Sequence, residues 1–170
     1  MIFEEILYEG YAPGGVAVIA EVVTDNRNRT TPEIRTIFSK NGGNLGETGS
    51  VGYLFDKKGL FVIEGGKVTE DEIIELLMDY DVDDVKTEDG NIIVTTSPEG
   101  YYQVSDVLLK KGFTLLENQL GYIPQTTVAL DEKKATQCLR ITELLEDHDD
   151  VQQVYSNFDI SDEIMAKLGD

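Results

Sequence analysis

Arg27 and Arg29 flank a single asparagine in the stretch Asp25-Asn26-Arg27-Asn28-Arg29-Thr30. A guanidinium presents a planar fork of donors that grips phosphate through two bonds and stacks on an exposed base, and an asparagine amide reads base edges. These types at this spacing make the stretch a candidate for nucleic-acid contact, beside a plain structural reading in which Asp25-Asn26 is a turn and Thr30-Thr31 begins a helix. Glycines 42, 43, 46 and 49 follow soon after. A phosphate cradle of the P-loop kind needs a strand before it, a Gly-Lys-Ser/Thr ending and a helix behind it. Here a helical pattern precedes, a strand pattern follows, and Glu47 stands inside the run, so nucleotide hydrolysis is not expected. Gly43-Asn44-Leu45-Gly46 spells the GXXG of a KH domain, but that loop joins two helices.

The other reactive residues read as structural. His148, the sole histidine, sits in Glu-Asp-His-Asp-Asp at a helix end, where the dipole and nearby acids favour a cation. Cys138 falls on the apolar face of its helix and reads as core. One histidine and one cysteine are too few for a His/Cys metal cluster. Asp79, Asp81 and Asp83 alternate like the start of a calcium loop, yet Asp84 takes the place of the turn glycine and Gly90 that of the bidentate acid. No catalytic residue, metal, cofactor or small-molecule substrate is expected, and the chain reads as a non-enzyme.

Charge narrows where a polyanion can touch the chain, whose 170 residues carry a formal net charge of −19. Residues 1–66 hold nine acids and six bases, residues 67–124 thirteen and four, and residues 125–170 eleven and four. The six bases of the first segment are Arg27, Arg29, Arg35, Lys40, Lys57 and Lys58, opposed in that stretch only by Glu33, Glu47 and Asp56. A field this negative repels polyphosphate over a range set by a Debye length of about 8 Å at physiological salt. The candidate contact residues are therefore this island and its polar neighbours: Asn26, Arg27, Asn28, Arg29, Thr30, Arg35, Lys40, Asn44, Lys57 and Lys58. Affinity of this chain alone for duplex DNA is expected to be negligible. A lone cysteine fits a reducing compartment, and no run approaches the roughly 18 apolar residues of a membrane span, so a cytoplasmic location is expected.

These residues need elements to hold them. Gly15–Val23 is apolar and β-branched, as in a strand buried on both faces. Thr24–Thr30 reads as an exposed connection, with Thr31 capping a helix that has Pro32 in its first position and ends at Asn41-Gly42-Gly43. Ser50–Phe55 and Leu60–Glu64 read as a hairpin about Asp56-Lys57-Lys58-Gly59. Past Gly65-Gly66, Thr69 and Glu72 form a capping box for a helix with Ile73, Leu76, Leu77 and Tyr80 inward. Strands at 85–87 and 92–96, a helix bearing Tyr101, Val104 and Leu108, and a strand at 113–122 complete that unit. Thr126–Leu130, a helix capped by Asp131 and the strand Val151–Tyr155 form a last β-α-β run, and Ser161–Leu168 a short final helix. A lone β-α-β lacks strands to share its sheet with. The expectation is an α+β protein of two small two-layer α/β sandwich domains of ferredoxin-like type. Residues 1–66 plus 125–170 form the first, and residues 67–124 an acidic insertion. Thr126–Leu130 and Val151–Tyr155 are expected to join the sheet of Gly15–Val23.

The segments "EGYAPGGVAVIAEVVTDNRNRT" (9–30) and "FSKNGGNLGETGSVGYLFDKKG" (38–59), with "GYIPQTTVAL" (121–130) in the expected order, strongly resemble the YebC/PmpR family over essentially the whole chain. Ala12 stands where the family commonly has glycine. Family members typically begin with a basic helical domain opening on a Gly-His-Ser-Lys-Trp-like sequence. No such sequence occurs here, so the chain looks like the two C-terminal domains. The resemblance implies a gene-expression regulator without enzymatic activity. Bacterial members are described as transcriptional regulators linked to promoter DNA, and the mitochondrial relative as a translational activator of cytochrome c oxidase. Others look like ribosome-associated factors that help synthesis through proline-rich stretches. The partners implied are ribosomal RNA or promoter DNA, and ribosomal proteins. The other reading from charge is a protein-interaction module whose acidic inserted domain binds a basic partner.

Overall fold

The structure, a computed structural model, describes residues 2–168. It divides into two compact units, residues 1–56 with 124–170, and residues 57–123. In chain order the first unit opens with β1 (Glu4–Ala12), β2 (Val16–Thr24), α1 (Arg27–Lys40) and β3 (Asn44–Leu45). The inserted unit follows with β4 (Phe55–Ile63), α2 (Glu70–Leu77), β5 (Val82–Glu88), β6 (Asn91–Thr96), α3 (Tyr101–Lys110) and β7 (Leu115–Pro124). The chain then returns to the first unit as β8 (Val128–Ala129), α4 (Glu132–Asp147), β9 (Val151–Ser156), β10 (Phe158–Asp159) and α5 (Asp162–Leu168).

The sheet of the first unit runs β3-β1-β2-β9. Continuous β-branched and alanine content makes β2 its buried centre, antiparallel to β1 from Glu4↔Thr24 to Ala12↔Val16 and to β9 on its other side. Tyr8, Ala12, Val16, Val18 and Ala20 face Ile34 and Phe38 of α1 and Cys138, Ile141 and Leu145 of α4. This is one helical layer on one sheet.

The inserted unit follows a β-α-β-β-α-β order, and its sheet runs β5-β6-β4-β7, the ferredoxin-like arrangement. Its separate core joins Phe61, Ile63, Ile92 and Val94 to Ile73 and Leu77 of α2 and Val104 and Leu108 of α3. Thr69 caps α2 by accepting from the Glu72 amide. The chain is thus α+β in both units.

Several expectations require correction. Residues 56–59 do not turn. They lie within the single strand β4, where Gly59 pairs with Thr96 and an added Cβ would collide with the Thr96 hydroxyl and lie 2.7 Å from the Tyr101 ring. Gly59 leaves room for these two side chains and does not bend the chain. Because β4 enters the second sheet, the first boundary falls after Asp56 rather than at 66/67. Val128–Ala129 does not join the sheet of β2 but pairs in parallel with Phe158–Asp159. Tyr80 lies beyond α2 and is exposed rather than inward. Finally, Glu4–Ala12 forms a full strand that the apolar pattern did not reveal.

Candidate nucleic-acid interface

The Arg-Asn-Arg triplet belongs to a helix, not to a loop. Asn26, not Thr31, caps α1, its side-chain oxygen accepting from the Arg29 amide at 3.2 Å. Arg27, Asn28, Arg29 and Thr30 therefore form the first turn, and Pro32 stands inside the helix on its exposed face. Two cations at a helix N-terminus oppose the macrodipole, so they need compensation. The fold supplies it with carboxylates. Arg27 meets Glu4 of β1 at 3.3 Å. Arg29 reaches Asp150 at 2.7 Å, with Asp25 at 3.8 Å and Glu33 at 4.0 Å.

Asp150 is the centre of this tie. Its side chain is 16% exposed and also accepts from the Thr30 hydroxyl at 2.8 Å. Burial alone pushes its carboxyl up. The Thr30 and Arg29 hydrogen bonds and the Arg29 charge outweigh that and hold it below the usual carboxylate range. The same hydrogen bond and charge push Arg29 up. Thr30 is buried and bonded to Thr24, so it faces the interior and not a ligand. His148 joins the network, with Nδ1 accepting from the Asp150 amide at 3.1 Å and Nε2 2.6 Å from Glu33. An accepting Nδ1 places the proton on Nε2, which then donates to the carboxylate. Arg29 and His148 thus hold the start of α1 to the α4–β9 turn.

The other candidates separate into three places. Arg27, Thr31 and Arg35 recur every four residues and share one flank of α1. That flank walls an open depression of about 380 Å³, with Ile6, Tyr8, Leu45 and Glu47 opposite. Tyr8 reaches Thr31 through a hydroxyl–hydroxyl bond at its floor. Arg35 is exposed and makes no ion pair among the described residues. Asn28 and Asn44 are also exposed. Lys40 lies on the opposite flank with Arg29, in the last turn where a cation suits the dipole. Lys57 and Lys58 belong to the inserted unit, with Lys57 over the Tyr122 ring and Lys58 paired to Asp83 at 2.6 Å. Within the first unit, the four bases of α1 thus fall on two flanks of the helix.

Sequence reasoning missed Glu9, the residue that accounts for Gly49 and Gly52. Glu9 is 3% exposed, and its carboxylate accepts from the backbone amides of Gly49, Val51 and Gly52 at 2.6, 3.2 and 2.5 Å. The backbone from Gly49 to Gly52 cradles an anion, and that anion is this side chain. Gly49 has φ +88, which a larger residue rarely adopts, and a Cβ at Gly52 would stand 2.8 Å from Glu9 Oε1. The one available signal was a lone acid alternating with Tyr8 and Gly10.

Two α+β units, the first with its glycine loop held by the chain's own carboxylate, make up the described structure. A family model described as the second and third domain of TACO1/YebC matches residues 3–158, and the chain belongs to that family. It is 51% identical over 166 residues to a protein of Syntrophus aciditrophicus, covering 98% of this chain and 66% of that relative. With a relative from Pseudomonas syringae it shares 50% over 167 residues, covering 98% and 67%. Both are named "Probable transcriptional regulatory protein". The crystal structure of a conserved hypothetical protein from Aquifex aeolicus superposes with a TM-score of 0.80 at 44% identity, covering 96% of this chain and 68% of that one. The chain thus spans about two thirds of the length of these relatives. Among the described residues no helix is long and apolar enough to cross a membrane.

Proposed function

We propose that this chain is a non-catalytic gene-expression factor that associates with nucleic acid, and that the Arg27–Arg35 flank of α1 supplies its contact. The observation that carries the reading is the exposed Arg35, without an ion pair among the described residues, beside Arg27 over an open depression. It stands on a helix with four bases and one acid in a chain of net charge −19. Ribosomal RNA suits this flank better than duplex DNA. It offers isolated exposed phosphates and unstacked bases to a short cationic flank, whereas a chain of net charge −19 is repelled by the continuous phosphate charge of a duplex. The family names favour regulation, and a ribosome-associated mode is one way to achieve it.

Co-sedimentation of the chain with ribosomes across a salt series tests this. Arg27→Ala with Arg35→Ala should reduce the salt slope of binding by about one to two units, at roughly 0.7 for each phosphate that is no longer neutralised. Thermal stability should barely move, because exposed substitutions usually stay within about 0.5 kcal/mol. Arg29→Ala should do the reverse. An unchanged slope in the double variant would refute the assignment to this flank.

A further inference from the structure

An apolar groove runs between α2 and β5 of the inserted unit. Ile74, on the outward side of α2, and Met78, which caps the helix C-terminus, stand four residues apart, 45% and 72% exposed. Tyr80, 39% exposed, and the half-buried Val82 and Val85 form the facing side, with buried Leu77 beneath. They enclose a depression of about 300 Å³, at the lower end of the range that binding pockets occupy. Folded monomers leave contiguous apolar surface open chiefly where something docks.

The rim says what docks. Asp83 and Asp84 line the groove, and Asp84 is exposed with no ion pair among the described residues. Glu75 and Asp79, beside Ile74 and Met78 in sequence, are also exposed and unpaired by the same measure. Residues 57–123 carry fourteen acids against six bases. A second copy of this chain would bring like charges together. A cationic partner would not. The form of the partner follows from β5, which is the edge strand of its sheet. Its register shifts between Val82 and Asp84, and Asp83, Asp84, Lys86 and Glu88 charge its length, features that resist strand addition. A helix laying an apolar stripe in the groove avoids that edge, and the flexible Met78 adapts to it.

We infer that this groove binds an amphipathic cationic helix of a partner protein. Its apolar stripe seats on Ile74, Met78 and Tyr80, and its lysines and arginines lie over Asp84, Glu75 and Asp79. This is independent of the reading of α1.

The test uses the whole chain, isotope-labelled for NMR and titrated with three short synthetic peptides. One has leucine at helical spacing and lysine elsewhere, one replaces its lysines by glutamate, and one is all lysine. The leucine–lysine peptide should bind with shift changes confined to residues 74–85. Ile74→Gln with Met78→Gln should weaken it about tenfold or more, as expected for losing one or two buried apolar side chains. Asp84→Lys should also weaken it, while Leu109→Gln, an exposed apolar control on α3, should not. Equal binding of the all-lysine peptide, shifts scattered over the acidic surface, or an unaffected double variant would show charge attraction alone and overturn the inference. Equal binding of the leucine–glutamate peptide would overturn its cationic part. Concentration-dependent dimerisation abolished by Met78→Gln would overturn it in favour of a second copy.

Discussion

Replacing Glu9 by glutamine is the sharpest probe of the first unit, because it keeps size and removes only charge. The amide oxygen can retain the Oε1 position and its two donors, Val51 and Gly52, while its NH2 meets the Gly49 amide donor to donor. Hydrogen bonds to a charged acceptor contribute about 1.5–3 kcal/mol and neutral ones about 0.5–1.5. Two weakened bonds then cost about 2–3 kcal/mol and the broken one about 1.5–3 more, roughly 4–6 kcal/mol before the offset from exposed Gly49 regaining water. Glu9→Ala should cost about 1 kcal/mol more, since buried Val51 keeps an unpaired amide. Urea unfolding of the first unit reads the total, and hydrogen exchange at Gly49, Val51 and Gly52 reads it locally. If Glu9→Gln stays within about 0.5 kcal/mol of the parent and those amides keep their protection, the carboxylate does not hold the loop and the reasoning fails.

Gly52→Ala, which drives a Cβ toward Glu9 Oε1, should approach the cost of Glu9→Gln. Gly49→Ala, in open space but at φ +88, should cost only about 1–2 kcal/mol in a urea melt. Asp150→Asn should destabilise the first unit at neutral pH. A carboxyl held below its usual range stabilises above its unfolded value and loses that contribution on acidification, so the gap should close below about pH 4 in a pH-resolved urea series. Burial pushes the Cys138 thiol up to about 11, so alkylation at pH 8 should be negligible in the folded chain and proceed at the unfolding rate.

The sequence made legible what depends on neighbours along the chain. The buried strand β2, the Thr69 and Asp131 caps and the apolar stripes of α2, α3 and α4 are all local patterns. What escaped it depends on residues far away. Glu9 looks out of place in a strand until amides forty residues on surround it. Gly59 reads as a turn until Thr96 and Tyr101 occupy the space of its missing Cβ. Asn26 and Thr31 are both good caps by type. Asn26 prevails because the first turn it starts finds Asp150 across the fold, satisfying Arg29 and Thr30 together. For the same reason, six bases within residues 27–58 could not be resolved into two helix flanks and a second unit.

The position of β2 also fixes an order of events as the chain emerges from its exit tunnel. Domains fold as units, N-terminal parts first. The inserted unit is contiguous and can close once β7 has appeared. The first unit cannot, because one edge of its central strand waits for β9, paired as Val18↔Ser156 and Ile19↔Tyr155. Closing that separation is slow in entropic terms. The central strand of the first unit therefore keeps a bare edge until β9 has been made, after the whole segment threaded between its two halves has emerged.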